Sequence, residues 1–183
     1  MAAVERNGRG EPLSAQGCVL FLPSDDEWYK AAFHKNDGVT ANYWDYATGS
    51  NAIPDGLDFN GDTTFDVVFQ QDFNQGQPNA VTNVGLASPY GTMGQNGNVY
   101  EWQESAYDGV NDNLSSPNEF RALRGGSWQN TEASLRSSDR NDRIPPNSGY
   151  DYGFRVASVV PEPSSALLLL GSGAMLALRR RRA

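Results

Sequence analysis

Between residue 40 and the tail that begins at 159 the chain never sustains an apolar periodicity long enough for a packed helix. From "NYWDYATGSNAIPDGLDFNGDTTFD" onward, apolar residues come in ones and twos between glycines, prolines, asparagines and aspartates. With 19 Gly, 10 Pro and 20 aromatic residues, such a chain can bury a core only through short elements joined by many turns. One stretch stands apart. In "FLPSDDEWYKAAFHKNDG", Ser24 is placed to cap a helix and Glu27 to complete a capping box, while Asp25 and Asp26 suit the positive end of its dipole. The pattern predicts a helix from Asp25 to Lys35, stopped at Asn36-Asp37-Gly38, with Trp28, Ala31 and Ala32 as its buried stripe. Three later segments read as short strands: Val99 to Trp102 inside "SPYGTMGQNGNVYEW", then "FRALRGGSW", then "YGFRVASVV", which closes the domain.

Charge and reactive side chains exclude several function classes. The net charge of −8 includes a basic tail; without Arg179 to Arg182 and Glu162 the body carries 10 basic against 21 acidic residues, near −11. That surface repels phosphate backbones, so no nucleic acid partner is expected. Cys18 is the single cysteine, which removes internal disulfides and paired-thiol chemistry. His34 is the single histidine, expected at the end of the helix in a structural role, and it cannot supply a multi-histidine metal site. Asp58-Phe-Asn60-Gly-Asp62 opens like a calcium loop but has Thr63 where a glycine is needed and Phe69 where a glutamate is needed; it reads as a solvated loop. Arg136, Arg140 and Arg143 are expected to pin acidic loops rather than hold a ligand.

The composition breaks at residue 159, dividing the chain into segments 1–20, 21–158 and 159–183. Val160 to Ser165 is polar and proline-bounded, Ala166 to Leu178 is almost wholly apolar, and Arg179 to Arg182 is a cationic block. The apolar run is shorter than the roughly 20 residues of a comfortable membrane span. A buried helix rarely ends in four arginines, whereas a cationic block held on the cytoplasmic side places the body outside. This tail resembles the PEP-CTERM sorting signal. The resemblance implies export, membrane attachment through a C-terminal hydrophobic helix, and an exosortase-type sorting enzyme as partner, leaving the protein at the cell surface or outside. "MAAVERNGRGEPLSAQG" has no apolar stretch of a signal peptide, from which an upstream segment is expected.

Four blocks occur in order: Leu22-Pro-Ser-Asp-Asp-Glu-Trp28, Tyr90-Gly91 with Gly97-Asn98-Val99-Tyr100-Glu101-Trp102, Leu123-Arg124-Gly125-Gly126-Ser127-Trp128, and Gly153-Phe154-Arg155-Val156-Ala157. Together they resemble the formylglycine-generating enzyme, or sulfatase-modifying factor, domain family over Phe21 to Ala157. The resemblance implies an α+β, irregular, C-type-lectin-like fold, here without the family's N-terminal portion. It also implies a test of chemistry. Members use two copper-binding cysteines, three residues after the Gly-Gly-Ser serine and five further on; here those positions are Asn130 and, by direct counting, Leu135. The loop up to Leu135-Arg136-Ser137-Ser138 is also several residues shorter than the family's. Cu(I) selects thiolates, so no copper is expected and no catalytic residue is assigned. A related branch holds iron with histidines, which one histidine cannot match.

Members often bind calcium beside the Gly-Asn-Val block, which here points to the Gly97 and Val99 carbonyls with the Glu101 carboxylate, although Gly94 offers no ligand where members do. The competing reading is a buried Glu101 paired with an arginine. The function expected is a non-catalytic binding or structural module, with a surface polysaccharide or a protein as ligand. Two alternatives stand beside it: another enzyme on the same scaffold, needing carboxylates such as Asp45, Asp151 and Glu101 to converge, or a truncated product that does not fold alone.

Overall fold

A computed structural model describes residues 20–56, 65–70, 77–111, 116–145 and 147–158. Cys18, the 58–62 loop and the tail from 159 lie outside the described residues.

The capping box forms as its residues require. The Glu27 amide donates to Ser24 Oγ at 3.3 Å and the Ser24 amide to Glu27 Oε2 at 2.8 Å. Helix α1 runs Asp25–Phe33, two residues short of the expected end. The His34 amide still bonds the Lys30 carbonyl, but beyond it the chain turns back into pairing: Lys35 N donates to Asn42 O and Trp44 N to Phe33 O. Left-handed backbone at Asn36 and Gly38 makes that reversal possible. The buried face is Trp28, Ala32 and Phe33, with Ala31 only half-buried.

The sheet is built from elements too short to stand alone. In the order β4(Asn141–Arg143), β3(Arg121–Arg124), β2(Tyr100–Ala106), β5(Tyr152–Gly153), the first three strands are antiparallel and β5 lies parallel to β2. Strand β2 continues four residues past the expected Trp102, with an irregular register before Ala106. Its polar residues are tied to the rest of the fold largely through backbone groups, while the buried Gln103 Oε1 has no hydrogen-bond partner among the described residues. Glu104 N donates to Pro23 O, Gln103 Nε2 to Glu101 O, and Ser105 Oγ accepts from Asp25 N. Two-residue strands β1(Leu20–Phe21) and β6(Ala157–Ser158) pair antiparallel and fasten the two ends of the domain. The segment expected as one closing strand is thus two, β5 and β6, with different partners.

Two apolar clusters fill the interior: Trp28, Ala32, Phe33 and Ala47 in one, and Tyr46, Val67, Phe69 and Leu135 in the other. A short 3-10 helix, Glu132–Leu135, delivers Leu135 to the second cluster.

Candidate functional site

The two glycine-rich blocks cross. Gly97 N donates to Gly125 O at 2.7 Å, Asn98 N to Val68 O at 2.8 Å, and Trp128 N to Asn98 O at 2.9 Å. Gly97 has φ +65°, and a Cβ there would sit 2.2 Å from the Val68 carbonyl oxygen; at Gly125, φ +92°, it would sit 2.7 Å from Gln95 O. Only glycine allows backbones this close. Buried amides bolt the crossing in place: Asn96 accepts from Ala47 N (2.6 Å) and donates to Leu135 O (2.7 Å), and Gln95 donates to Trp28 O (3.2 Å).

Strand β2 leaves this crossing and carries Glu101 inward. Its carboxylate is buried and fully engaged: Arg155 donates from Nε to Oε2 (2.5 Å) and from Nη2 to Oε1 (2.6 Å), and the Trp28 indole donates to Oε2 (2.5 Å). A two-pronged guanidinium and an indole N–H together match the charge and lone pairs of one carboxylate. The structure therefore places Glu101 in the ion-paired arrangement. Val99 is half-buried against Gly153, and Gly97 lies in the crossing, so the three residues proposed for calcium sit on one path, with the carboxylate turned to Arg155. As arranged, a cation at Glu101 would have to displace a guanidinium. Among the described residues, no three of His, Cys, Asp and Glu come together as a metal-holding group.

The positions that matter for copper chemistry have structural work. Asn130 Oδ1 accepts from both the amide and the hydroxyl of Ser127, each at 2.8 Å, closing the turn after the glycines. Leu135 is fully buried in the second core cluster. One side chain closes a turn and the other fills a core.

The arginines pin loops, though the acidic group they share lies on α1. Asp25 receives Arg124 Nε at one oxygen and has Arg140 Nε 2.9 Å from the other. The latter contact is an ion pair whose N–H points off the line to the oxygen, since Arg140 Nε has no hydrogen-bond partner. Arg124 also donates to the Ser137 (3.1 Å) and Asp139 (2.8 Å) carbonyls, and Arg140 to those of Tyr107 and Ala106. Arg143 bonds the Tyr152 hydroxyl at 2.9 Å, and Arg136 lies over the Tyr46 ring. Burial pushes the Asp139 carboxyl above its ordinary value, against the opposing pull of Arg124. Burial likewise lowers Arg121, with Glu119 and Glu104 opposing.

His34 is more buried than its place at a helix end suggested. Its Nε2 faces the Val39 carbonyl at 2.9 Å, which only an N–H can do, so Nδ1 is the acceptor for Asn36 N (3.0 Å) and the Tyr90 hydroxyl (2.9 Å). A ring held at three points is a fastener for the 34–44 turn.

Beside the crossing, on the loop side, Trp128 is buried with its indole nitrogen unpartnered, and the exposed Tyr150 ring lies 6.0 Å from it. Gln129 Nε2 reaches the Tyr150 hydroxyl at 3.3 Å. Sequence reasoning did not single out this pair, nor Arg155 as the partner of Glu101. The available signal for Arg155 was its place between two apolar residues, Phe154 and Val156, which points it the opposite way from them.

Similar folds occur in solved structures. CarF is 21% identical with a TM-score of 0.54, over 84% of this chain and 52% of that one. Treponema denticola variable protein 1 is 21% identical with a TM-score of 0.54, over 85% and 54%. At that identity the likeness shows the fold, which is the α+β, formylglycine-generating-enzyme-like one. Two proteins named serine/threonine-protein kinase pkn1 are each 34% identical. In Chlamydia caviae the match spans 84 residues, 40% of this chain and 14% of that protein; in Chlamydia pneumoniae it spans 80 residues, 38% and 13%. The chain thus spans about half the length of those structures and about a seventh of those relatives. Residues 159–182 match the PEP-CTERM protein-sorting motif, the mark of an exported protein read by an exosortase-type sorting enzyme. Residues 9–160 match the sulfatase-modifying factor enzyme 1-like domain, and the chain belongs to that family.

Proposed function

We propose that this is a surface-sorted binding or structural module that keeps the family scaffold without formylglycine chemistry. The supporting observation is the assignment of Asn130 and Leu135. The first offers a hard amide oxygen already used by Ser127, and the second offers no donor from inside a core. Neither suits Cu(I), which selects soft thiolates. A Cys-x-Pro-x-Arg peptide incubated with the protein, Cu(I) and oxygen should show no aldehyde by mass spectrometry. Aldehyde at the rate of a cysteine-bearing homologue sinks the reading.

The tail would hold the body outside the cell, its apolar run in the membrane and its arginines on the cytoplasmic side, until the sorting enzyme acts. The ligand would meet the loop face at Gln129 and Tyr150, where an exposed ring leans at 45° against a buried one and an amide stands beside the hydroxyl. A surface polysaccharide suits such a platform, since sugars stack on aromatic faces and hydrogen-bond at their edges; a protein ligand is the alternative. Calcium at Gly97, Val99 and Glu101 is a separate proposal. It requires Arg155 to swing clear, and a calcium titration followed by thermal melting decides it.

A further inference from the structure

The approach to β6 alternates in exposure, and the outward row is apolar. Gly153, Arg155 and Ala157 are half-buried, while Phe154 (59% exposed), Val156 (54%) and Ser158 face out. Leu20, 62% exposed, stands opposite Ser158 in the β1–β6 register. On a strand with one buried face, the outward positions are ordinarily the polar ones. Here Leu20, Phe154 and Val156 leave an apolar edge in the open.

The sorting motif begins at residue 159, directly after β6, and its apolar run begins at Ala166. Eight residue steps from Ser158 reach at most about 29 Å. A folded body of about 140 residues is about 37 Å across, from its expected radius of gyration of about 14 Å. A tether shorter than the body's width stops the β6 edge from turning fully away from whatever holds the tail, and a contracted tether brings it close.

We infer that this row is a membrane-facing patch, resting on the bilayer into which the tail inserts. The inference depends on the tail anchoring described under Proposed function. The body's charge near −11 suits a zwitterionic surface rather than an anionic one, and leaves apolar contact as the source of attraction.

The test uses the full chain with Cys18→Ser and an environment-sensitive fluorophore on Val156→Cys, mixed with phosphatidylcholine vesicles. Val110→Cys provides the reference: it is 53% exposed and lies past the far end of β2, about 20 Å of strand away from the Tyr100–Tyr152 pair. Flotation with the vesicles reports anchoring. Quenching by brominated lipid reports docking. Floated protein should show at least threefold stronger quenching at 156 than at 110. With the label on Leu20→Cys, F154D/V156D should keep flotation and lose quenching. Flotation with equal quenching at 156 and 110 overturns the patch and leaves anchoring standing. Shielding of residue 156 from aqueous iodide without lipid overturns it too, since another segment or a second copy then covers the row. Failure to float overturns anchoring and the patch together.

Discussion

Removing Arg155 should destabilise this protein strongly, because it strands the buried charge of Glu101. In Arg155→Leu, Glu101 keeps only the Trp28 N–H, having lost two charge-assisted bonds of 2.5 and 2.6 Å. Breaking a buried pair by deleting one partner costs about 3–5 kcal/mol. The Arg155 side chain is 21% exposed, so water reaches the vacated space and the lower end applies. The lost bond to the Met93 carbonyl adds about 1 kcal/mol. The expected loss is about 4 kcal/mol, read by urea denaturation of the full chain at pH 7. Glu101→Gln keeps the shape and the Trp28 bond acceptor, and should cost about 2 kcal/mol. A double Arg155→Leu/Glu101→Leu variant should cost less than the sum of its single variants, with a coupling of about 2 kcal/mol. An Arg155→Leu cost under about 1 kcal/mol, or additive single changes, refutes the pairing. Calcium sharpens the comparison. If Glu101 is a ligand, calcium raises the melting temperature of the Arg155→Leu chain and Glu101→Gln abolishes the effect; the ion-pair reading predicts no change in either.

Three further outcomes follow from the same geometry. Gly97→Ala should cost about 3 kcal/mol or more by thermal melting, since the new Cβ meets the Val68 carbonyl, whereas Gly91→Ala, also left-handed but with open space around it, should cost about 1 kcal/mol. Ser24→Ala should cost about 1 kcal/mol in the same assay by removing the helix cap. The Asp139 carboxyl is raised by burial, so the folded state binds its proton more tightly than the unfolded chain. Its charged form therefore detracts from stability at neutral pH, and the deficit is relieved as pH falls through the folded value towards 3.8. Asp139→Asn should melt higher than the parent at pH 7, and melting curves taken towards pH 4 should show the gap closing.

What the sequence disclosed was whatever local chemistry decides. The capping box at Ser24 and Glu27 needs only a three-residue spacing, and it forms as read. The glycine pair after Arg124 ends β3 for a reason visible in the residues, although the partner backbone at Gln95 was not. Legibility failed where a distant partner made a polar residue acceptable in the interior. Gln103 and Glu104 look like the end of a strand, yet both are buried: Gln103 Nε2 donates to the Glu101 carbonyl, and the Glu104 backbone is held on both sides, its N–H by Pro23 O and its carbonyl by the Arg121 guanidinium. The helix stops at Phe33 rather than Lys35 because His34 is held by Val39 and Tyr90, one of them 56 residues away. The site follows the same rule. Reading Glu101 as ligand or ion-pair partner depended on where Arg155 points, and pattern alone supplies that direction only if the outward neighbours are taken as outward despite being apolar. Phe154 and Val156 break the usual polarity of an exposed row, and the same break that hides Arg155's role exposes the apolar edge beside the tail. A sequence rule violated without compensation inside the fold points to something outside it.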